Sequence, residues 1–181
     1  AFDVDVTFGV ADYRALDAAI ADVFDVVICC DNALSHCLEE PDLPRAVSQI
    51  RGRLKPGGLL LASIRDYDRL LAGGPGAGAM DPGLPGLHGR NDAARPRGTM
   101  PQVFDDAAGR RIAFQVWDWA EDGRSYAVHQ FFVQESSGEY RTSHYDSRFR
   151  ALRRAEMDEA PKAAGFRDIR GHFPADSGFY Q

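Results

Sequence analysis

The chain is poor in the features that would place it in several large protein classes. It has no Lys/Arg run, and 27 acidic residues against 21 basic ones leave a formal charge of −6. This argues against a nucleic-acid partner held mainly through phosphates, because no basic track is available to displace counterions from a backbone. The densest basic spot, RRAE at Arg153, reads as a helix start. No apolar stretch approaches the roughly 20 residues that span a bilayer. The opening AFDVDVTFGV has neither a basic end nor a cleavage site, so a soluble, cytoplasmic protein with no membrane partner is expected. Only three cysteines occur, Cys29, Cys30 and Cys37. They give neither an even disulfide framework nor paired CxxC zinc spacing, and no metal is expected. Cys29 and Cys30, adjacent on a strand, face opposite sides of a sheet and read as buried free thiols.

What is present is a hydrophobic content of 44% in 181 residues, enough for one globular domain with a core. VDVTFGVA (4–11) reads as a strand, and DYRALDAAIADV has Leu16, Ala19 and Ile20 at helical spacing. FDVVICC is a continuous apolar run of the kind found in parallel strands covered on both faces. PDLPRAVSQIRGRL lines one helical face with Leu43, Ala46, Val47, Ile50 and Leu54, with Asp42 as its cap. KPGG then stops the helix and LLLASIR is a second buried strand. Alternating strands and helices predict an α/β sheet with right-handed crossovers. Ligands of such sheets bind beyond the strands' carboxyl ends. That rule puts Asp12-Tyr13, Asp31-Asn32 and Arg65-Asp66-Tyr67 on one rim.

The pattern breaks at residues 73–102, where Gly and Pro are too dense for a regular element and a loop or lid is expected. GPGAG within it is not a phosphate loop, since no strand leads in and no helix follows. RRIAFQVWDW, SYAVHQFFVQ and EYRTSHYDSRF are separated by AEDG and ESSG, which predicts an antiparallel meander over 103–150. Trp117 and Trp119 alternate onto one face of it and read as core. RALRRAEMDEAPKAAGF reads as a helix that Pro161 kinks or shortens, DIRGHF as a last strand, and SGFYQ ends the chain. The expected organisation is a sheet core over 1–72, the loop, the meander, and a last helix and strand over 151–181.

FDVVICCDNALSH, LKPGGLLLASIRDYD, FQVWDW, the helix ending AGF and the terminal SGFYQ together resemble class I S-adenosylmethionine-dependent methyltransferases. Within that class they are most similar to the glycine/sarcosine N-methyltransferase group, over nearly all of the chain outside the Gly/Pro loop. The resemblance implies an α/β fold, a partial Rossmann-like sheet with the three-stranded meander as a lid. It also implies S-adenosylmethionine as cofactor and a small-molecule acceptor. By that resemblance Asp12 and Tyr13 hold adenine, although Asp12 also reads as a helix cap. Cys30 lays its main chain against the cofactor, Asn32 reaches the acceptor, and His36 lies near the cofactor's amino-acid end. His36 also fits an ordinary helix start, and Asp31 fits either a cofactor contact or a cap for the turn. Arg65-Asp66-Tyr67-Asp68 resembles the family's Arg-Asn-Tyr-Asp stretch, in which the arginine takes the acceptor's carboxylate. A guanidinium suits that work because its fork donates two parallel hydrogen bonds. A rim salt bridge with Asp66 or Asp68 is the competing reading. Tyr145 resembles a substrate-facing tyrosine of the meander. Methyl transfer in line to a lone pair needs alignment, exclusion of water and a neutral amine rather than a proton relay. Tyr67 and Asn32 suit the orienting of such an amine.

The chain departs from the family in its long Gly/Pro loop, in Pro161 and, above all, at its start. The glycine-rich turn and the acidic strand end expected ahead of Val4 are absent, so a further segment of roughly 60 to 90 residues, two βα units, is expected to complete the sheet. Without it 4–11 has no neighbouring strand, the core is open, and these residues alone are expected to bind the cofactor weakly or not at all. A non-catalytic methyltransferase-like interaction module is the alternative reading, and a nucleotide-binding oxidoreductase a third that lacks any hydride-transfer constellation. An open sheet edge favours a homo-oligomer.

Overall fold

A computed structural model describes residues 4–72, 97–106 and 109–173. The chain forms two compact units, one of residues 1–64 with 155–181 and one of residues 65–154.

In the first unit, β1 (Phe24–Cys29) and β2 (Leu54–Ala62) pair in parallel, from Val26 opposite Leu59 to Cys29 opposite Ala62. The connection between them runs through α1 (Asp42–Gly52), as the alternating pattern predicts. Leu43, Ala46, Val47 and Ile50 of α1 are buried with Leu34, Cys37 and Leu54, which is the stripe that the helical spacing marks out. The Arg53 guanidinium donates to the carbonyls of Ile20 (2.6 Å) and Ala21, and Phe24 N–H donates to the Arg53 carbonyl, so the end of α1 fixes the start of β1.

Several expectations change here. Asp42 is the first residue of α1 and Pro41 the cap; the Asp42 carboxylate instead accepts from Glu39 N–H and from Arg14. KPGG does not separate helix from strand. It bulges out of β2, with Gly57 at φ 79°, between the pairs Phe24–Leu54 and Val26–Leu59. Lys55 at the bulge reaches Asp25 at 2.9 Å. β1 and β2 are covered on one face only: α1 packs there, while Val26, Ile28, Leu59 and Leu61 remain exposed.

VDVTFGVA is not a strand. Residues 4–11 carry no ladder and Val4, Val6, Phe8 and Val10 point into solvent. β propensity records fit to a pleated, half-buried surface, and without a neighbouring strand there is nothing to fit. The helix expected after it shrinks to a 3-10 turn, Tyr13–Ala18, broken at Ala15 (φ −149°, ψ 45°) and tied to α1 where Asp17 N–H donates to Gln49. DIRGHF is irregular rather than a strand, for the same want of a partner among the described residues.

α3 (Arg154–Ala163) begins later than the sequence pattern suggests. Pro161 sits in its last turn, where it forfeits the N–H bond to the Met157 carbonyl; the helix ends two residues later and Gly165 (φ 86°) follows as the stop. SGFYQ lies outside the described residues.

In the second unit, α2 (Tyr67–Leu71) precedes a four-stranded antiparallel sheet of order β3-β4-β5-β6: Gln102–Asp106, Gly109–Trp119, Ser125–Ser136 and Glu139–Arg150. The meander thus has one strand more than the three expected. Most of the Gly/Pro loop, with its GPGAG, lies outside the described residues, but its end is ordered: Gly98 bridges Val116. A Cβ on Gly98 would collide with the Gln115 carbonyl, which explains a glycine there. Cross-strand pairs bring Trp119 opposite Tyr126, and Tyr126 opposite Phe149. Tyr67, Trp117, Tyr126, Val128 and Ala151 form the buried cluster on that face, so the two tryptophans are core as alternation predicts.

Candidate functional site

At the carboxyl ends of β1 and β2 the backbone takes a costly conformation. Asp31 (φ 57°) and Asn32 (φ 62°) are consecutive left-handed residues. Asp and Asn tolerate that region better than other side chains, yet each such residue still costs about 1–3 kcal/mol. Ser63, just past β2, holds the turn. Its hydroxyl accepts from Asp31 N–H (3.0 Å), its carbonyl accepts from Asn32 N–H (3.2 Å), and its own N–H donates to Cys29 (3.2 Å). The two strand ends are thereby stapled together.

Asn32 is buried, and its side-chain carbonyl accepts from the Ser35 hydroxyl at 2.9 Å. It stands at the cap position of the 3-10 turn Ala33–His36 without capping it through its side chain. Asp31 therefore serves the left-handed turn through its backbone. Cys30 is half-buried and His36 ends the 3-10 turn in an exposed position. All three cysteines are free.

Asp12 and Tyr13 stand at the same end of the unit. The Asp12 carboxylate caps the 3-10 turn by accepting from Arg14 N–H (2.8 Å) and also takes the Arg14 guanidinium. Those bonds hold its pKa down at about 2. Burial, and then Cys37, push the Tyr13 phenol well above its ordinary range. Its O–H donates to the Cys37 thiol, which burial raises to about 11. Tyr13 thus ties the 3-10 turn Tyr13–Ala18 to Cys37, which follows the turn beyond β1.

In the second unit, the Arg65 guanidinium stacks over Trp117, 4.5 Å from the ring centroid, and donates to the Tyr126 hydroxyl at 3.2 Å. That hydroxyl also meets the Tyr67 hydroxyl at 2.9 Å. Burial, and next the neighbouring Tyr67, raise the Tyr126 phenol far above its ordinary value, so it stays a neutral hydrogen-bonding group. A guanidinium stacked on one face and bonded at one end has lost most of its rotamer freedom before any ligand arrives. Asp66 and Asp68 have other work: Asp66 caps α2 through Arg69 N–H, and Asp68 takes Arg153 at 3.1 Å and Arg154 N–H. Tyr145 shares a sheet face with Trp117 and Tyr126, but it is 62% exposed, and among the described residues its ring meets the edge of Phe132.

Ser63 and Tyr126 escape the sequence reading. Ser63 ends a strand as any small polar residue does, and Tyr126 is one aromatic among several in alternation. Nothing local marks either. Among the described residues no His, Cys, Asp and Glu cluster has metal-binding geometry, and no helix is long and apolar enough to cross a membrane.

Residues 1–58 match the methyltransferase domain family. A glycine/sarcosine N-methyltransferase of Parasynechococcus marenigrum (strain WH8102) is 42% identical over 64 residues, 35% of this chain and 23% of that protein. One from Halorhodospira halochloris is 26% identical over 121 residues, 66% of this chain and 40% of that protein. The chain therefore spans less than half the length of these curated relatives. The S-adenosylmethionine-bound amino pentose methyltransferase CalS10 of Micromonospora echinaspora superposes with a TM-score of 0.60 at 17% identity, over 86% of this chain and 54% of that one. At that identity the likeness establishes fold alone.

Proposed function

We propose that the chain, whose fold is that of the class I S-adenosylmethionine-dependent methyltransferases, is such a methyltransferase and acts in N-methylation of a small amine that bears a carboxylate. The observation that carries the proposal is the left-handed Asp31-Asn32 turn, strained and stapled by Ser63, at the strand ends where ligands of such sheets bind. The relatives named as glycine/sarcosine N-methyltransferases support the acceptor class.

The cofactor supplies an electrophilic sulfonium methyl when bound. The residues of this chain bind and orient. The Cys30-Asp31-Asn32 backbone, with Asp12, Tyr13 and His36, is assigned to the cofactor. The donor set suits a zwitterionic, hydroxyl-rich ligand: an ionised carboxylate, a neutral phenol, an imidazole and an exposed turn. Asn32 is assigned to the acceptor amine, which its amide orients in the neutral form. Arg65, held by Trp117 and Tyr126, is assigned to the acceptor carboxylate, with Tyr67 at its side. The exposure of Tyr145 gives it no part in this assignment.

The test is transfer of a labelled methyl from S-adenosylmethionine to glycine, sarcosine and ethylamine. Transfer to the first two and at least tenfold less to ethylamine is the expected result, since one charge-assisted pair is worth about 1.5–3 kcal/mol. Equal use of ethylamine would remove Arg65 from its role. In a version that carries the further segment expected ahead of Val4, no calorimetric heat with millimolar S-adenosylhomocysteine would sink the whole assignment and favour a non-catalytic interaction module.

A further inference from the structure

Arg65 rests on Trp117, and Trp117 is in turn held at its edge. The indole N–H of Trp117 donates to the side-chain carbonyl of Gln115 at 2.8 Å, two residues back on the same face of β4. Gln115 Nε2 donates to the side-chain carbonyl of Gln130, its cross-strand partner on β5, also at 2.8 Å. Gln130 Nε2 then donates to the main-chain carbonyls of Phe114 (3.1 Å) and Phe131 (3.4 Å). Both glutamines are half-buried.

The two ends of this chain of hydrogen bonds fix its direction. An indole N–H can only donate and a main-chain carbonyl can only accept, so both amides between them have one orientation. Turning either amide would set N–H against N–H at one joint and oxygen against oxygen at the next. The Trp117 ring is thereby located on two sides, by packing against Tyr126 with 5.4 Å between centroids and by a hydrogen-bond chain that ends on the sheet's own backbone. Leu or Val at 115 and 130 would fill the same face without desolvating an amide, but would leave the indole N–H unpaired.

We propose that Gln115, backed by Gln130, is a positioning residue for acceptor recognition: it fixes the Trp117 ring under the Arg65 guanidinium and so sets the direction in which Arg65 presents its donors to a carboxylate. The proposal rests on the assignment of Arg65 to the acceptor carboxylate. Two effects run along the chain of bonds. The indole cannot turn about its Cβ–Cγ bond without breaking the Gln115 bond, so the plane on which the guanidinium stacks is fixed. An indole that donates its N–H is also richer in electron density over its face, which strengthens its attraction for a cation. Tyr126 holds one end of the guanidinium at 3.2 Å. That single bond leaves rotation about itself, and the fixed ring plane removes it.

Gln115→Met keeps the length of the side chain and loses its hydrogen bonds. In the version that carries the further segment expected ahead of Val4, it should raise the Michaelis constant for sarcosine about five- to tenfold with kcat nearly unchanged. The Michaelis constant for ethylamine and the affinity for S-adenosylhomocysteine should not move. Gln130→Met, one link further from Trp117, should give a smaller rise. Thr99→Val removes the hydroxyl that accepts from Gln115 N–H at 2.8 Å but leaves the amide chain intact, and should change none of these. In an Arg65→Lys background, Gln115→Met should raise the constant less than about twofold, because no planar stack is left to position.

Nuclear magnetic resonance reads the same anchor without turnover. In Gln115→Met the Trp117 indole N–H should shift upfield, and the Arg65 δ-methylene protons, shielded by the indole face in the parent protein, should lose that shielding; Thr99→Val should alter neither. Equal rises for sarcosine and ethylamine, or a Thr99→Val effect as large as that of Gln115→Met, would overturn the proposal. So would Arg65 shielding that survives Gln115→Met, or full additivity with Arg65→Lys. Absence of transfer to sarcosine by the parent protein would sink the reading of Arg65 instead, and the Arg65 shielding would still decide whether Gln115 places it.

Discussion

The two units solve the same problem, burying one side of a sheet, with different success. In the unit of β1, β2 and α1, two parallel strands joined by a crossover rest on one helix and leave Val26, Ile28, Leu59 and Leu61 exposed on the other face. In the unit of β3 to β6, local hairpins supply every neighbour, and Tyr126 stacks with Trp119 (4.4 Å) and Phe149 (5.6 Å) within the sheet's own face. A parallel sheet depends on layers delivered from elsewhere in sequence, whereas an antiparallel meander carries its partners with it.

The comparison breaks first at Trp117. Trp117→Ala removes a buried aromatic from the cluster and the platform under Arg65 at once, and should cost about 3–5 kcal/mol. Hydrogen exchange should show lost protection in β4 to β6 and unchanged protection in β1 and β2. Uniform loss across both would show that the units do not unfold separately.

Ile50→Ala is the matching lesion in the other unit, expected to cost about 2–5 kcal/mol by denaturant titration. The exposed face of β1 and β2 gives the site more room to relax, which argues for the lower half of that range; a value above that of Trp117→Ala would reverse the ordering of the two cores.

Arg65→Lys keeps the charge and loses both the planar stack and the fork. The Michaelis constant for a carboxylate-bearing acceptor should rise about 10- to 100-fold, or about 1.4–2.8 kcal/mol. Affinity for S-adenosylhomocysteine by calorimetry should not move. A parallel loss of both would reassign Arg65 to the cofactor.

The smallest effect is at Asp12. Its folded pKa of about 2 lies below the ordinary value of 3.8, so the ionised form is favoured by folding. Its stabilisation is complete above about pH 4 and fades as pH falls through about 2. The stability gap between the parent chain and Asp12→Asn should be constant near neutrality and close over that acid window. A gap that widens in acid would contradict the Arg14 pairing.

The elements legible in the sequence were those whose partners are near in sequence or whose pattern is long. FDVVICC, the stripe of α1, LLLASIR and the three hairpin strands all appear, because periodicity there reports burial directly. VDVTFGVA and DIRGHF have equal β propensity and form no strand, since a ladder needs a neighbour that propensity does not encode. β3 went unseen because Pro101 and the glycines before it disguise a short edge strand. At the candidate site, Asp12 fulfilled its alternative as a cap. The Asp31-Asn32 pair was visible as letters, but not as a left-handed turn, because that conformation is imposed by Ser63, 31 positions after Asn32.

By itself the sequence determined composition, the alternation of strand and helix, the aromatic face of the meander and the residues that resemble a methyltransferase. Tertiary structure decided which β-prone segments became strands, where Arg65 points and what holds Asn32. Local periodicity is set within a few residues, whereas a ladder partner, a stacking platform and a strained turn each depend on atoms brought together across the chain.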